Sequence, residues 1–334
     1  MNIYLHSSLN HRNFGDELLA IIAANELKSH KIYLKGNDLA CNTLLKEYNN
    51  TYLIKYIPKK VDYMIFGGGG YFGAPSSKIT KWDVNFIRRF VPLMTYVLYH
   101  KIRNLKMVGT GFGPNSIISS TIIRCIFKYS NSMNYVRDTK SLSHGNKILK
   151  SNKFTLIRDL ASYKTLYPDF LLKLKVDKGN YIIIHDVQTN QLNDNFNKEL
   201  INFIISNKLK VLIIADSDRT NSKLESVFED WKKLFFKNDI TINRYIDLKT
   251  TFSLIVNSQL VITSKLHIGI VSSTFNVPTV SIPIHIKTIR YYKSIEKESV
   301  CFPNKEVANM SLKMILNQNF THGNDHLKTN CFEL

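Results

Sequence analysis

Cysteine is scarce and poorly placed for metal: Cys41, Cys125, Cys301 and Cys331 stand far apart and form no CxxC or CxxH pair. That spacing speaks against a zinc cluster and gives no basis for a disulfide framework. No stretch offers eighteen uncharged apolar residues, so no membrane-spanning helix is expected. The opening MNIYLHSSLNHRN lacks a basic start followed by an apolar run, and reads as the first strand of a cytosolic protein rather than a signal peptide. Neither GxGxxG nor a loop ending in GK[ST] occurs, which weighs against NAD and ATP. Acidic residues are also few, 26 against 45 Lys plus Arg, giving a formal +19. An anionic partner is expected from this, whether phosphorylated metabolite, membrane surface or nucleic acid.

The positive charge is uneven. Residues 1–170 carry 24 basic and 10 acidic side chains, a net +14, and the remainder carries +5. With 334 residues, 44% of them hydrophobic, the chain can build a substantial core, more naturally in two domains than in one. The segment NFIRRFVPLMTYVLYHKIR at 85–103 sets an apolar and aromatic stretch between basic edges. It could lie against an acidic membrane surface, although an ordinary core-facing helix explains it as well.

Short apolar strands alternate with longer amphipathic stretches, the rhythm of parallel sheets covered by helices. Strands are predicted at Asn2–His6, Lys31–Leu34, Asp62–Phe66, Lys106–Gly109, Asn134–Val136 and Thr155–Ile157. Between them helices are predicted at Asp16–Ser29, Asn85–Arg103, Ile117–Tyr129 and Thr139–Leu149. Tyr167–Lys178 reads as a passage, after which the rhythm restarts with YIIIHD and KVLIIAD and continues to LVITS, a helix over Leu266–Phe275, and VPTVSIPI. The expected fold is α/β, two Rossmann-like domains facing a cleft: residues 1–170, the acceptor side, and 178–320, the donor anion site. Residues 321–334 read as a loosely ordered tail.

Polar residues concentrate where strands hand over to helices, which is where ligands bind in open parallel sheets. In HRNFGDELL, Asn13, Gly15 and Asp16 occupy such a turn; Asp16 can cap the helix that follows or accept a proton from a hydroxyl. The four glycines of FGGGGYFG, among them Gly68 and Gly69, and Gly111 in VGTGFGPN leave strands through backbone that can approach an anion closely. Arg137 in NYVRDTKS could clamp a carboxylate or phosphate, though pairing with a neighbouring acid such as Asp138 is the commoner fate. His185 and Asp186 end the strand YIIIHD as weaker candidates.

The segment VITSKLHIGI poses the sharpest question, because it sets Lys265 and His267 among apolar residues. If the helix starts at Ser264 or Lys265, its free amides and positive end address the same small volume as both side chains. A helix N-terminus disfavours an imidazolium and a bound oxyanion favours it, so His267 would be protonated when substrate is present. The plain alternative is a core histidine beside a solvent-facing lysine. Lys287 and Arg290, in HIKTIRYY, follow the strand VSIPI as further positive groups or as a solvated basic loop, and His285 stands beside them.

Taken in order, NFGDEL at 13–18, GGGG at 67–70, GTGFGP at 109–114, VRDxxS at 136–141, PD at 168–169, SKLH at 264–267, VP at 277–278 and Lys287 resemble the polysaccharide pyruvyl transferases. The resemblance implies an architecture similar to the GT-B glycosyltransferases. It also implies transfer of the pyruvyl group of phosphoenolpyruvate to two hydroxyls of a sugar as a cyclic ketal, with release of phosphate, during synthesis of an exopolysaccharide, capsule or cell-envelope polymer. It carries the family's anion-handling role to His267 and to Lys265, where the family commonly has arginine; lysine keeps the charge and loses the planar fork, and the chemistry makes His267 the candidate catalytic acid. Arg137 and Lys287 fall on its basic positions, and Asp16 is the candidate base. Asn13, Gly15, Gly68, Gly69, Gly111, Ser264 and Arg290 complete the expected substrate-binding set.

No cofactor and no metal are expected, since phosphoenolpyruvate is itself the donor. The expected partners are phosphoenolpyruvate and a saccharide acceptor, lipid-linked in one version, with peripheral contact at the inner face of the membrane. A nucleotide-sugar-dependent glycosyltransferase is the alternative, with Asp216 and Asp218 as the carboxylates that would fix ribose hydroxyls. A noncatalytic basic binder of nucleic acid or anionic lipid is the third reading, but no recognition helix or aromatic-interleaved basic strip is evident, and no specific nucleic acid is expected.

Overall fold

The computed structural model describes residues 1–73, 81–150, 153–234, 240–302, 311–317 and 329–334. The chain divides into two compact units. The first comprises Met1–Asn10, Leu19–Leu160 and His326–Leu334. The second comprises His11–Leu18 and Ala161–Asp325.

The first unit holds a five-stranded parallel sheet in the order β3-β2-β1-β4-β5. Its strands are β1 (Asn2–Leu9), β2 (Lys31–Gly36), β3 (Thr51–Leu53), β4 (Tyr63–Gly67) and β5 (Leu105–Val108). Helices α1 (Phe14–Glu26), α2 (Asp38–Glu47), α3 (Lys81–His100) and α4 (Ile117–Ile126) connect or follow them. A smaller parallel pair, β6 (Asn134–Val136) and β7 (Phe154–Leu156), brackets α5 (Thr139–Ile148). The core is rich in rings: Phe66 and Phe72 lie 5.0 Å apart and Phe86 and Phe90 4.4 Å, and Phe112 and Phe127 are buried with them. Edge-on and offset rings supply apolar area and a preferred geometry at once. Phe86, Phe90, Leu93 and Val97 form the buried stripe of α3, so the segment weighed as a membrane-surface element spends its apolar face on the interior. Among the described residues no helix is long and apolar enough to cross a membrane.

The second unit repeats the plan in the order β10-β9-β8-β11-β12, again all parallel. After α6 (Asp169–Leu172) come β8 (Tyr181–His185), α7 (Asp194–Ser206), β9 (Lys210–Ile214), α8 (Leu224–Lys232), β10 (Ile240–Asn243) and α9 (Leu248–Val256). β11 (Val261–Thr263), α10 (Leu266–Thr274), β12 (Thr279–Ser281), α11 (Ile286–Ser294) and α12 (Leu312–Leu316) follow. In each sheet the strand order reverses once, between β1 and β4 and between β8 and β11, which makes the carboxyl ends of those pairs the topological switch points.

Three sequence expectations are corrected and one open alternative is decided. The passage Tyr167–Lys178 is not a linker: Tyr167 packs 5.2 Å from Phe275 and 5.7 Å from Phe252, and Asn257 accepts from Val176 N and donates to Leu174 O at 2.8 Å each. These contacts fasten it to the second unit, whose longer segment begins at Ala161. His11–Leu18 also belongs to the second unit, although its sequence position suggested the first. HIKTIRYY, for which a solvated basic loop is one of two readings, forms the start of α11, whose Thr288, Tyr291 and Tyr292 are buried. Finally, the last residues of the tail are packed: Cys331 and Phe332 are buried in the first unit, and Lys106 Nζ donates to Glu333 O at 2.7 Å. Residues 321–328 of that tail lie outside the described residues.

Candidate active site

Residues Val261 to Phe275 are buried with two exceptions, Lys265 and His267. The cause is local. Helix α10 is apolar on almost every side and sits in the core, so only the positions at its N-terminal turn can reach outward. Lys265 is the N-cap residue in extended conformation, with no side-chain cap, and its N–H donates to Thr263 Oγ1 at 3.0 Å. The imidazole of His267 lies against Gly15: a Cβ built there would abut Nδ1 and come within 2.7 Å of Cγ. Gly15 therefore serves close approach between the 11–18 segment and the histidine, a packing demand that only a missing side chain meets.

The same segment is pinned from both sides. Phe14 N–H donates to Asp216 O at 2.7 Å, and Asn13 bridges Ser217 in antiparallel fashion. Asn13 Oδ1 accepts from Asp16 N at 3.1 Å, while Glu17 Oε1 accepts from Asn13 N at 3.1 Å, a reciprocal cap for α1. The capping role considered for Asp16 thus belongs to Asn13, because Asp16 lies inside the first turn. Glu17 is buried, and burial pushes its carboxyl up to about 7 against the opposing influence of Tyr245, the Asn13 amide and Arg12. Arg12 in turn stacks 5.3 Å from the Tyr245 ring and stands 3.7 Å from Asp218.

A second network backs Lys265. Asp216 Oδ2 is 3.7 Å from Lys265 Nζ, Asp216 Oδ1 is 3.4 Å from His185 Nε2, and Thr220 Oγ1 donates to Oδ1 at 3.0 Å. Burial raises the Asp216 carboxyl, but the charge and hydrogen bond of His185, then Lys265 and Thr220, outweigh it and hold the group well below the usual carboxylate range. Ser264 is buried and donates to Asp186 Oδ2 at 3.3 Å, and Lys223 pairs with the other oxygen at 3.7 Å. Asp186 itself adopts φ of 50°, the left-handed region, at the end of β8. His285 occupies the N-cap position of α11 without a side-chain cap, and burial, Lys287 and Lys265 together lower its affinity for a proton. Lys287 is exposed and Arg290 half-buried on α11.

The second unit thus gathers Asn13, Gly15, Asp16, Ser264, Lys265, His267, Lys287 and Arg290 from the expected set. His185 and Asp216, named from the sequence in lesser roles, join them with Glu17, Thr220 and Tyr245 through contacts across the fold that no spacing announces. Arg137, Gly68, Gly69 and Gly111 belong to the first unit. There Arg137 Nη1 is 3.1 Å from Asp159 Oδ2 and its Nε is 4.0 Å from Asp138, so the guanidinium is engaged with two acids. A Cβ on Gly111 would fall 2.8 Å from that guanidinium, one on Gly68 2.9 Å from Leu19, and one on Gly69 3.0 Å from the Tyr71 ring. The φ values of Gly68 and Gly69, 68° and 85°, add a backbone reason for glycine. These three glycines make room for side chains. Among the described residues no group of three or more His, Cys, Asp or Glu side chains is arranged to hold a metal ion.

The fold has solved counterparts. UDP-GlcNAc 2-epimerase from Neisseria meningitidis bound to UDP-GlcNAc superposes with a TM-score of 0.57 at 11% identity, covering 96% of this chain and 95% of that one. UDP-GlcNAc 2-epimerase from Methanocaldococcus jannaschii gives 0.55 at 13%, covering 95% and 93%. Anabaena Alr3699/HepE in complex with UDP and glucose gives 0.51 at 12%, covering 84% and 81%. At such identities the likeness speaks for the fold, a two-domain Rossmann-like architecture of GT-B type. No curated protein matches the chain in sequence. The family profile of the polysaccharide pyruvyl transferases matches residues 13–285, which begins at the capping asparagine and ends at the histidine before α11. The chain belongs to the polysaccharide pyruvyl transferase family, as a sugar-modifying, transferase-type enzyme.

Proposed function

We propose that the protein transfers the pyruvyl group of phosphoenolpyruvate to two hydroxyls of a saccharide acceptor, forming a cyclic ketal and releasing phosphate. The observation that carries this reading is the pairing of Lys265 and His267 as the two half-buried residues of an otherwise buried strand-to-helix turn, with Lys287 and His285 on the next turn. A helix start with two lysines suits a small donor bearing a carboxylate and a phosphate, and needs no base or ribose pocket. In the proposed sequence His267 protonates the methylene carbon of phosphoenolpyruvate, leaving positive charge at the adjacent carbon. A sugar hydroxyl adds there and gives its proton to Asp16. The carbon–oxygen bond to phosphate then breaks, and the second hydroxyl closes the ketal, its proton leaving with phosphate. Lys265, held by Asp216, balances the donor's charge throughout.

A nucleotide-sugar-dependent transfer is the second reading, favoured by the fold counterparts solved with UDP-GlcNAc or with UDP and glucose. It requires a carboxylate for ribose hydroxyls. Asp216 is taken up by His185, Thr220 and Lys265, and Asp218 stands beside Arg12, which weighs against it. Equilibrium competition separates the two readings: phosphoenolpyruvate should displace a bound fluorescent anion and UDP-GlcNAc should not. For the chemistry, His267→Gln should lower ketal formation and phosphate release by about 100-fold or more, the usual scale of a lost general acid. Near-wild-type turnover in that variant would remove His267 from proton transfer.

A further inference from the structure

The switch point of the first sheet carries a cluster that the donor chemistry does not use. β1 and β4 end side by side there, and at the end of β1 the Arg89 guanidinium, from α3, donates to Ser8 Oγ at 3.2 Å and to Ser7 O at 3.5 Å. It lies 5.3 Å from the centre of the Tyr71 ring. Tyr71 is itself fixed, its hydroxyl donating to Gly67 O at 3.1 Å and His6 O at 3.3 Å, and Gly69 leaves the space its ring needs. Beneath lies His6, buried, with Phe66 5.0 Å away and Tyr71 and Phe90 each 5.4 Å away. Burial first, then Arg89 and Lys35, hold its proton affinity well below the ordinary value, so the imidazole adds no charge.

Arg89 differs from Arg137 in one respect that matters. Arg137 sits between two aspartates, whereas among the described residues no carboxylate lies within ion-pair distance of Arg89, which is half-buried and touches hydroxyl, carbonyl and ring. A stacked guanidinium with one edge tethered and no acid beside it presents its remaining N–H groups for a planar or tetrahedral oxyanion. Ligands of parallel sheets bind at such carboxyl ends.

We infer that Arg89, seated on Tyr71 and tethered to Ser8, recognises an oxyanion carried by the acceptor saccharide, a sugar phosphate or a uronate. This rests on the reading of the enzyme as a transferase to a saccharide, and it assigns the acceptor's anionic group to the first unit. Binding of glucose 1-phosphate, glucuronate, methyl glucoside, inorganic phosphate and phosphoenolpyruvate to wild type, Arg89→Gln, Arg89→Lys and Ser8→Ala tests it by calorimetry. Glucose 1-phosphate or glucuronate should bind wild type more tightly than methyl glucoside. Arg89→Gln should weaken the anionic sugar about 10- to 100-fold, the range for a hydrogen bond to a charged group, and leave phosphoenolpyruvate unchanged. Arg89→Lys and Ser8→Ala should fall between, and an unchanged thermal melt shows that the variants fold. The assignment is overturned if no anionic sugar binds wild type, if Arg89→Gln binds it normally, or if inorganic phosphate matches it with the same loss, which is a bare anion site. Loss of phosphoenolpyruvate binding in Arg89→Gln also overturns it, placing Arg89 with the donor. If wild type ignores phosphoenolpyruvate while Arg89-dependent sugar binding persists, the pyruvyl reading falls and this one stands.

Discussion

Glu17 illustrates how a single buried side chain can tie an active-site turn to pH. Its carboxylate oxygen caps the Asn13 amide, and that turn presents Gly15 to the His267 ring. Burial raises the carboxyl to about 7 from an ordinary 4.5, so in the folded protein it keeps its proton over a range where the unfolded chain has lost it. The folded state then binds more protons between about pH 4.5 and 7, and stability falls as pH rises through that window. The contribution is about 3–4 kcal/mol, since one pKa unit is about 1.4 kcal/mol. Glu17→Gln should flatten the decline of the urea unfolding midpoint across this range. A decline of unaltered slope in the variant would assign the pH dependence to other groups. The glutamine amide has the size to keep the cap, so loss of activity in this variant need not accompany the change in slope.

At the scale of elements, the C-terminal segment acts as a strap on the first unit. The amine of Lys106, on β5, is held at lowered proton affinity by burial, with Cys331 and Glu333 opposing, and it donates to the Glu333 carbonyl. Burial pushes the Cys331 thiol up to about 11, so it stays an inert apolar filler. Deleting residues 329–334 removes the burial of Cys331 and Phe332 and leaves that ammonium without its acceptor. The expected cost is about 3–5 kcal/mol, the scale of an aromatic truncated from a core. It should be read as a fall of several degrees in the first calorimetric transition, with phosphoenolpyruvate binding kept. A transition that does not move would mean the strap adds no stability. Elements also explain the glycine runs: Gly68, Gly69 and Gly111 adjoin Leu19, Tyr71 and Arg137, so their first duty is packing rather than cradling an anion.

For the whole molecule, the charge imbalance carries the remaining expectation. Residues 1–170 hold +14 of the total +19, and Arg88 lies on α3 while Lys101 and Arg103 follow it, the apolar stripe of the helix being already buried. Attraction to an acidic membrane carrying a lipid-linked acceptor would therefore be electrostatic rather than insertional. Vesicles rich in acidic lipid should pellet the protein at low salt, and about 0.5 M salt, where screening acts within about 4 Å, should release it. Pelleting that survives such salt, or none at low salt, would count against a surface-charge mechanism.

Periodicity and strand-end chemistry alone determined the α/β class, the two repeats of strand and helix, and the turn holding Lys265 and His267, because alternation and helix starts are local properties of a chain. The ordered motifs pointed to the family for the same reason, each being a short strand-to-helix junction. Only the tertiary structure decided that residues 11–18 join the second unit, that 167–178 is packed rather than a linker, and that HIKTIRYY coils into a helix. It alone revealed that Asp216 serves Lys265 and His185, and that Arg89 rests on Tyr71. Those facts depend on which strands lie side by side and on what each side chain meets across tens or hundreds of residues, a matter of parallel-sheet order that no local spacing encodes.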